Sequence, residues 1–308
     1  MTDFLLSKWT RREALTFALA AGAGTVWAPH AFSADQLPLI TKPIPSTGER
    51  LPVIGIGTNS FSEAKREELR AVLKRLSELG GSVVDTAASY GESEQVIGEL
   101  VAELGIRDTV FLATKLVGGA DAKASFERSL ERLKTQRLDL LQVHNLNGFE
   151  ELWPQLLEWK KAKRIRYIGA TTSFQADHSR MAELMRKYPL DFVQVDYSIA
   201  NRGAAQTVFP MALERKIAVI VNVPLGGRGG VNLAASSERP LPPFAEKLGV
   251  SDWAQLMLKY VVSHPAVTCT IAGSTKVEHL EDNQAAGRGS LPDAALRARI
   301  EQYWDSPG

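Results

Sequence analysis

Short apolar runs alternate with longer amphipathic stretches along most of this chain. Residues 53–57 read "VIGIG", a run of strand length. Behind it, "SEAKREELRAVLKRLSELG" carries Leu69, Val72, Leu73, Leu76 and Leu79 at helical spacing and meets a stop at Gly80. The pairing recurs. "SVVDT" precedes "SEQVIGELVAELG", and "VFLATKL" precedes "ASFERSLERLKTQ". "LDLLQVHN" precedes "ELWPQLLEWKKAK", where Pro154 falls in the early turns that tolerate proline. "RYIGATT" leads to "HSRMAELMRKY", and "DFVQVDYS" to "AAQTVFPMALERK". "IAVIVNV" reaches "DWAQLMLKYVVSH" only after a delay, and "VTCTIAGS" precedes "KVEHLEDNQAA".

These are eight strand–helix pairs. The strands are unbroken runs rich in Val and Ile, as expected of a parallel sheet buried on both faces. The pattern predicts an α/β fold, a (β/α)8 TIM barrel. A doubly wound open sheet fits less well, because no G-x-G-x-x-G follows the first strand. Ahead of the barrel, "LPLITKPIPSTGERLPV" predicts an N-terminal β-hairpin capping its bottom, with "STGE" at the turn. Residues 225–250 form a Gly/Pro/Ser-rich loop after the seventh strand, long enough to be a lid or binding loop, with a short helix expected at "PPFAEKLG". The closing "LPDAALRARIEQYWDSPG" predicts a C-terminal helix, whose Tyr303 and Trp304 either line an apolar pocket or dock the tail.

The first 33 residues do not follow the pattern. Lys8, Arg11 and Arg12 precede an Ala/Gly-rich apolar run over residues 14–28, too short to span a bilayer comfortably. Ala31 and Ser33 then fit the small-residue positions of a signal-peptidase site. The Arg11-Arg12 pair, with Thr10 before it and Ala14-Leu15 after, resembles a twin-arginine (Tat) leader. The expected organisation is a signal peptide over residues 1–33 and a barrel over 34–308. The expected location is then the periplasm or beyond, reached through the twin-arginine translocase, or the cytoplasm if the leader does not act. The competing reading of the segment is a buried N-terminal helix.

Composition narrows the function classes. The chain has 308 residues with 36 basic and 35 acidic side chains, and removing the leader leaves 33 of each. So even a balance gives no global attraction to nucleic acid or anionic membrane. With Cys269 the one cysteine, neither an internal disulfide nor a Cys-rich zinc site can form. No metal site is expected.

In such a barrel, polar groups at the C-terminal strand ends face the active site. The second strand ends in Asp85, with Tyr90 in the following loop; the third carries Lys115; the fourth ends at His144. Each has a plain structural explanation alone, least so Lys115, since a lysine in an apolar strand is rarely buried unpaired. On three consecutive strand ends they read as a site. In order and surroundings, "DTAASYGESEQVIGEL", "ATK" and "LLQVHN" resemble the aldo-keto reductases over residues 39–290. The resemblance implies that Asp85, Tyr90, Lys115 and His144 form the family's catalytic tetrad. Reduction of a carbonyl builds negative charge on its oxygen and calls for a proton donor. A free tyrosine, with a pKa of about 10, becomes a better one beside a cation. Lys115 would supply that charge, Asp85 would hold the lysine, and His144 would orient the carbonyl. Tyr90 would be the general acid, or the base in alcohol oxidation.

The same resemblance implies a bound NADP(H), with NAD(H) as the second candidate. Gln194 would hold the nicotinamide amide and Tyr197 would stack on its ring. Thr171 and Thr172 stand where a Ser-Asn pair is more usual. Pro224, Leu225 and Gly226 would lie over the pyrophosphate, where glycine allows close backbone approach. At the adenosine end Gly273 and His279 replace the usual lysine and arginine, Ser274 is retained and Lys276 lies nearby. Asn283 matches an adenine contact, with Asp282 in place of glutamate. A neutral histidine grips phosphate less firmly than a guanidinium, which would weaken the preference for NADPH. A small carbonyl compound is the expected partner. The competing class is a cofactor-binding sensor or partner subunit on the same barrel, for which four intact catalytic groups are unnecessary.

Overall fold

A short antiparallel hairpin lies near the start of the described chain in this computed structural model. Strand β1 (Thr41–Pro43) pairs with β2 (Arg50–Pro52), Thr41 opposite Pro52, and Gly48 takes up the left-handed conformation of the turn at φ 78°. Residues 37–227, 231–236 and 238–306 are described. The leader expected over residues 1–33 lies outside them.

Eight strands follow: β3 (Ile54–Gly57), β4 (Val83–Asp85), β5 (Phe111–Leu116), β6 (Leu138–Val143), β7 (Ile165–Thr171), β8 (Phe192–Asp196), β9 (Ala218–Asn222) and β10 (Val267–Gly273). They close into a barrel in the order β10-β3-β4-β5-β6-β7-β8-β9, every pairing parallel. The expected (β/α)8 barrel is the observed fold. Its outer helices are α1 (Arg66–Glu78), α2 (Ser93–Leu104), α3 (Ala122–Arg132), α4 (Phe149–Lys161), α5 (His178–Lys187) and α6 (Ala204–Arg215). The short α7 (Val231–Ser236) lies within the long loop after β9, followed by α8 (Trp253–Ser263), α9 (Val277–Ala286) and the C-terminal α10 (Ala294–Asp305). The segment "PPFAEKLG" forms a single 3-10 turn, Ala245–Leu248, rather than an α-helix.

The strands are apolar throughout because each face has its own core. One cluster fills the barrel interior with Val83, Phe111, Leu140, Phe192, Ile220 and Cys269, and includes Ile44 and Leu51 from the hairpin. The hairpin therefore seals the bottom of the barrel, as expected. Residues one position away, such as Val84, Leu112, Leu141, Val193 and Val219, belong to the outer cluster between strands and helices. Period-two alternation then assigns the interior face at the C-terminal strand ends to Asp85, Lys115, Gln142, Thr171, Gln194 and Asn222.

Two close approaches fix the loops above the barrel. An ideal Cβ on Gly118, after β5, would lie 2.0 Å from the carbonyl oxygen of Gly148, after β6. Gly118 N–H also donates to Asn147 O at 2.9 Å. This clamp holds the turn carrying His144, in which Asn145 and Leu146 both adopt positive φ, 51° and 58°. At the other end of the chain, α10 docks by its aromatic residues. Trp253 packs against Tyr303 and Trp304, with ring centroids 6.2 and 5.6 Å away, and the Tyr303 hydroxyl donates to Pro240 O at 3.0 Å. Of the two roles open to Tyr303 and Trp304, docking the tail is the one observed.

Candidate active site

Asp85 is the hub. It ends β4 inside the barrel, where its side chain is nearly fully buried. Lys115 Nζ forms an ion pair with Asp85 Oδ1 and donates to Thr86 O at 2.8 Å. Oδ2 of the same carboxylate accepts from Gln142 Nε2 at 3.1 Å and from Gln194 Nε2 at 3.0 Å. Gln194 is held in turn by Thr171, whose hydroxyl donates to Gln194 Oε1 at 3.0 Å. A buried charge pair is tolerable only when both partners find further hydrogen bonds, and here each does.

Above this layer the four residues expected for the tetrad converge. The Lys115 ammonium lies 5.1 Å from the Tyr90 ring centroid. The Tyr90 and His144 rings meet edge-on, 5.8 Å apart. His144 Nδ1 lies 3.3 Å from the Ser89 hydroxyl. With that hydroxyl as donor, Nε2 carries the imidazole proton and is free to donate. Burial, and then the nearby Lys115 charge, lowers the His144 pKa to about 4, so the ring is neutral near pH 7. All four residues expected for the tetrad therefore meet at one place.

They meet at a cleft of about 940 Å³ on the C-terminal face, which Asp85, Tyr90 and His144 help to line. Of the residues expected at the cofactor, Gln194, Pro224, Leu225, Gly273, Ser274 and His279 also line it. Gly226 and Gly227 follow at φ 73° and 75°, a conformation that favours glycine and leaves the backbone open to close approach. A volume of this size, glycine backbone and polar side chains in the lining fit a dinucleotide. Leu233 and Ala234 of the long loop also line the cleft, so this loop does border the site.

Several expected contacts are placed elsewhere. Tyr197 does not line the cleft. It is buried beneath α8 and α10, its hydroxyl 2.9 Å from that of Tyr260 and accepting from Arg297 at 2.8 Å, its ring against Phe209. Strand β8 ends at Asp196, and beyond a strand the pleat no longer dictates direction. Thr171 supports Gln194 from within the barrel, and the Thr172 hydroxyl donates to Asp177 at 2.7 Å. Asp282 accepts from Gln255 at 2.6 Å and Asn283 is buried; neither lines the cleft. Lys276 is exposed and sits 3.8 Å from Glu278.

Sequence reasoning missed three residues here. Gln142 joins the Asp85 network. Asn145 lines the cleft beside His144. Asn222 lines it from the end of β9, donates to Thr172 O at 3.0 Å, and leaves its buried Oδ1 without a partner among the described residues. For Gln142 and Asn222 the available signal was a polar residue in phase with inward positions of an apolar strand.

Among the described residues no group of three or more His, Cys, Asp and Glu could hold a metal ion. No described helix is long and apolar enough to cross a membrane.

Comparison with known proteins agrees with this fold. The methylglyoxal reductase YeaE of Escherichia coli is 29% identical over 267 residues, spanning 83% of this chain and 92% of that protein. The NADP(+) aldo-keto reductase yakc of Schizosaccharomyces pombe is 25% identical, spanning 81% and 87%. A crystal structure of an aldo-keto reductase from Klebsiella pneumoniae in complex with NADPH superposes with a TM-score of 0.73 at 26% identity, covering 87% of this chain and 97% of that one. Residues 53–304 match the sequence profile of the Aldo/keto reductase family, and the chain belongs to that family.

Proposed function

We propose that this chain reduces an aldehyde or ketone to the alcohol, reversibly, with NADP(H) as cofactor and Tyr90 as the proton donor. The convergence of Tyr90, Lys115, Asp85 and His144 on one cleft carries the reading. Bound NADPH supplies the hydride. The protein supplies position, charge and the proton. A carbonyl oxygen within reach of both Tyr90 and His144 receives two hydrogen bonds as its negative charge grows. Tyr90 passes its proton to that oxygen, and Lys115 stabilises the phenolate left behind. Asp85 keeps the lysine in place. In alcohol oxidation the same tyrosine takes the proton back.

The NADP(H) reading draws on the cleft and on relatives that carry NADP or NADPH in their names. Ser274 in the lining keeps a phosphate contact for NADPH, while His279 in place of a guanidinium weakens its preference over NADH. The named activity of the Escherichia coli relative makes short carbonyls such as methylglyoxal the first substrates to try. The test is a panel of aldehydes, ketones and sugars with either cofactor, following nicotinamide absorbance. Carbonyl-dependent oxidation of NADPH is expected. Tight NADPH binding with no turnover across the panel would instead favour a sensor.

Export through the twin-arginine translocase is a separate proposal, supported by the order of charge, apolar run and small residues alone. Replacing Arg11 and Arg12 by lysine should retain the chain in the cytoplasm. Equal fractionation of both forms would contradict it.

A further inference from the structure

Gln142 is a neutral amide held inside the barrel near the C-terminal end of its strand. It lies on β6, and β-sheet register sets it beside Lys115 on one side and Gly169 on the other. The side chain is fully buried. Its Nε2 donates to Asp85 Oδ2 at 3.1 Å, while its Oε1 is buried with no partner among the described residues. The carboxylate fixes this orientation, because an ionised carboxylate only accepts. Gly169 makes the room: a Cβ there would lie 3.0 Å from Gln142 Cγ.

As filler the residue is a poor choice. A leucine would occupy the space without stranding a carbonyl oxygen, and a stranded polar atom weakens the fold. What the amide adds is a positive dipole end aimed at Asp85. Gln194 adds a second from β8. Lys115 reaches the other oxygen, so three strands fix one carboxylate.

We propose that Gln142 is a positioning residue of the proton-transfer site. Through its amide it sets how firmly Asp85 holds Lys115, and so the charge that Lys115 presents to Tyr90. This rests on the reading of Tyr90 as proton donor. The titratable groups at the site are Asp85 on β4, Tyr90 on the next loop, Lys115 on β5 and His144 after β6, with Lys65 and His279 farther along the cleft lining.

The sign follows from electrostatics. Removing a positive dipole end makes the site more negative and disfavours the tyrosinate. Reduction requires the protonated tyrosine, so activity falls above a limb that reports its loss. In Gln142→Met that limb should move to higher pH by about half a unit, with NADPH affinity unchanged. A limb left where the wild type has it would overturn the proposal, even if the melting temperature falls, since a merely structural amide changes stability alone. If Gln142→Met does not fold, Gln142→Leu decides: it removes the same donor to Asp85, so the limb should move in the same direction, and an unmoved limb overturns the proposal. Tyr90→Phe separates the two readings. If the wild-type limb persists in that variant, the donor assignment fails and not the role of Gln142 alone.

Discussion

The ammonium of Lys115 lies 5.1 Å from the centre of the Tyr90 ring, yet its hydrogen bonds go to Asp85 and Thr86. The cation is thus anchored on Asp85 and Thr86, with the phenol ring beside it. Lys115→Met should abolish most turnover. It should also leave Asp85 buried and uncompensated, at a cost of about 3–5 kcal/mol. Adding Asp85→Asn removes the stranded charge, so the double variant should be more stable than Lys115→Met alone while staying inactive. Denaturant melts and steady-state rates on the singles and the double check both parts.

The barrel, and the strand-end placement of the candidate charged groups, were legible in the sequence for one physical reason. A strand buried on both faces is apolar at every position, so Lys115 or an Asp85 at a strand end stands out against it. Alternation then says which way each points. Gln142 was passed over because a neutral amide is less conspicuous than a charge, although it sits two residues before His144 and in phase with Leu140. Tyr197 was misplaced because it lies past the end of β8, where the contacts of Tyr260 and Arg297 set its direction and no local pattern records them. The role of Tyr303 and Trp304 was likewise a matter of tertiary packing.

The corrected position of Tyr197 yields its own test. Tyr197→Phe keeps the buried ring and removes the hydroxyl that accepts from Arg297. It should lower stability by about 1–3 kcal/mol, the cost of leaving a buried charged donor short of a partner. NADPH affinity should stay within about twofold, since the ring is not in the cleft. Thermal melts and a fluorescence titration measure the two effects. A large loss of affinity with unchanged stability would return Tyr197 to the cofactor.

Acid should destabilise the fold through two histidines. Burial first, then Lys115, lowers His144 to about 4; burial first, then Arg297 and Lys42, does the same to His264. The unfolded chain binds these protons near pH 6.5, about the ordinary histidine value, while the folded one resists until about pH 4. Stability is therefore fully present above pH 6.5 and is lost as pH falls toward 4. Melting temperature against pH should show this decline, and His264→Gln should flatten part of it. His144 stays neutral until pH nears its lowered value of about 4, so kcat/KM should show no limb from it above about pH 5.

The account turns on Tyr90 as the group that moves the proton. The direct measurement pairs NADPH-dependent carbonyl reduction by Tyr90→Phe with a titration of NADPH binding. The expected result is a fall in kcat of about a thousandfold, with the dissociation constant for NADPH within twofold of the wild type. Turnover within about tenfold of the wild type would contradict the assignment.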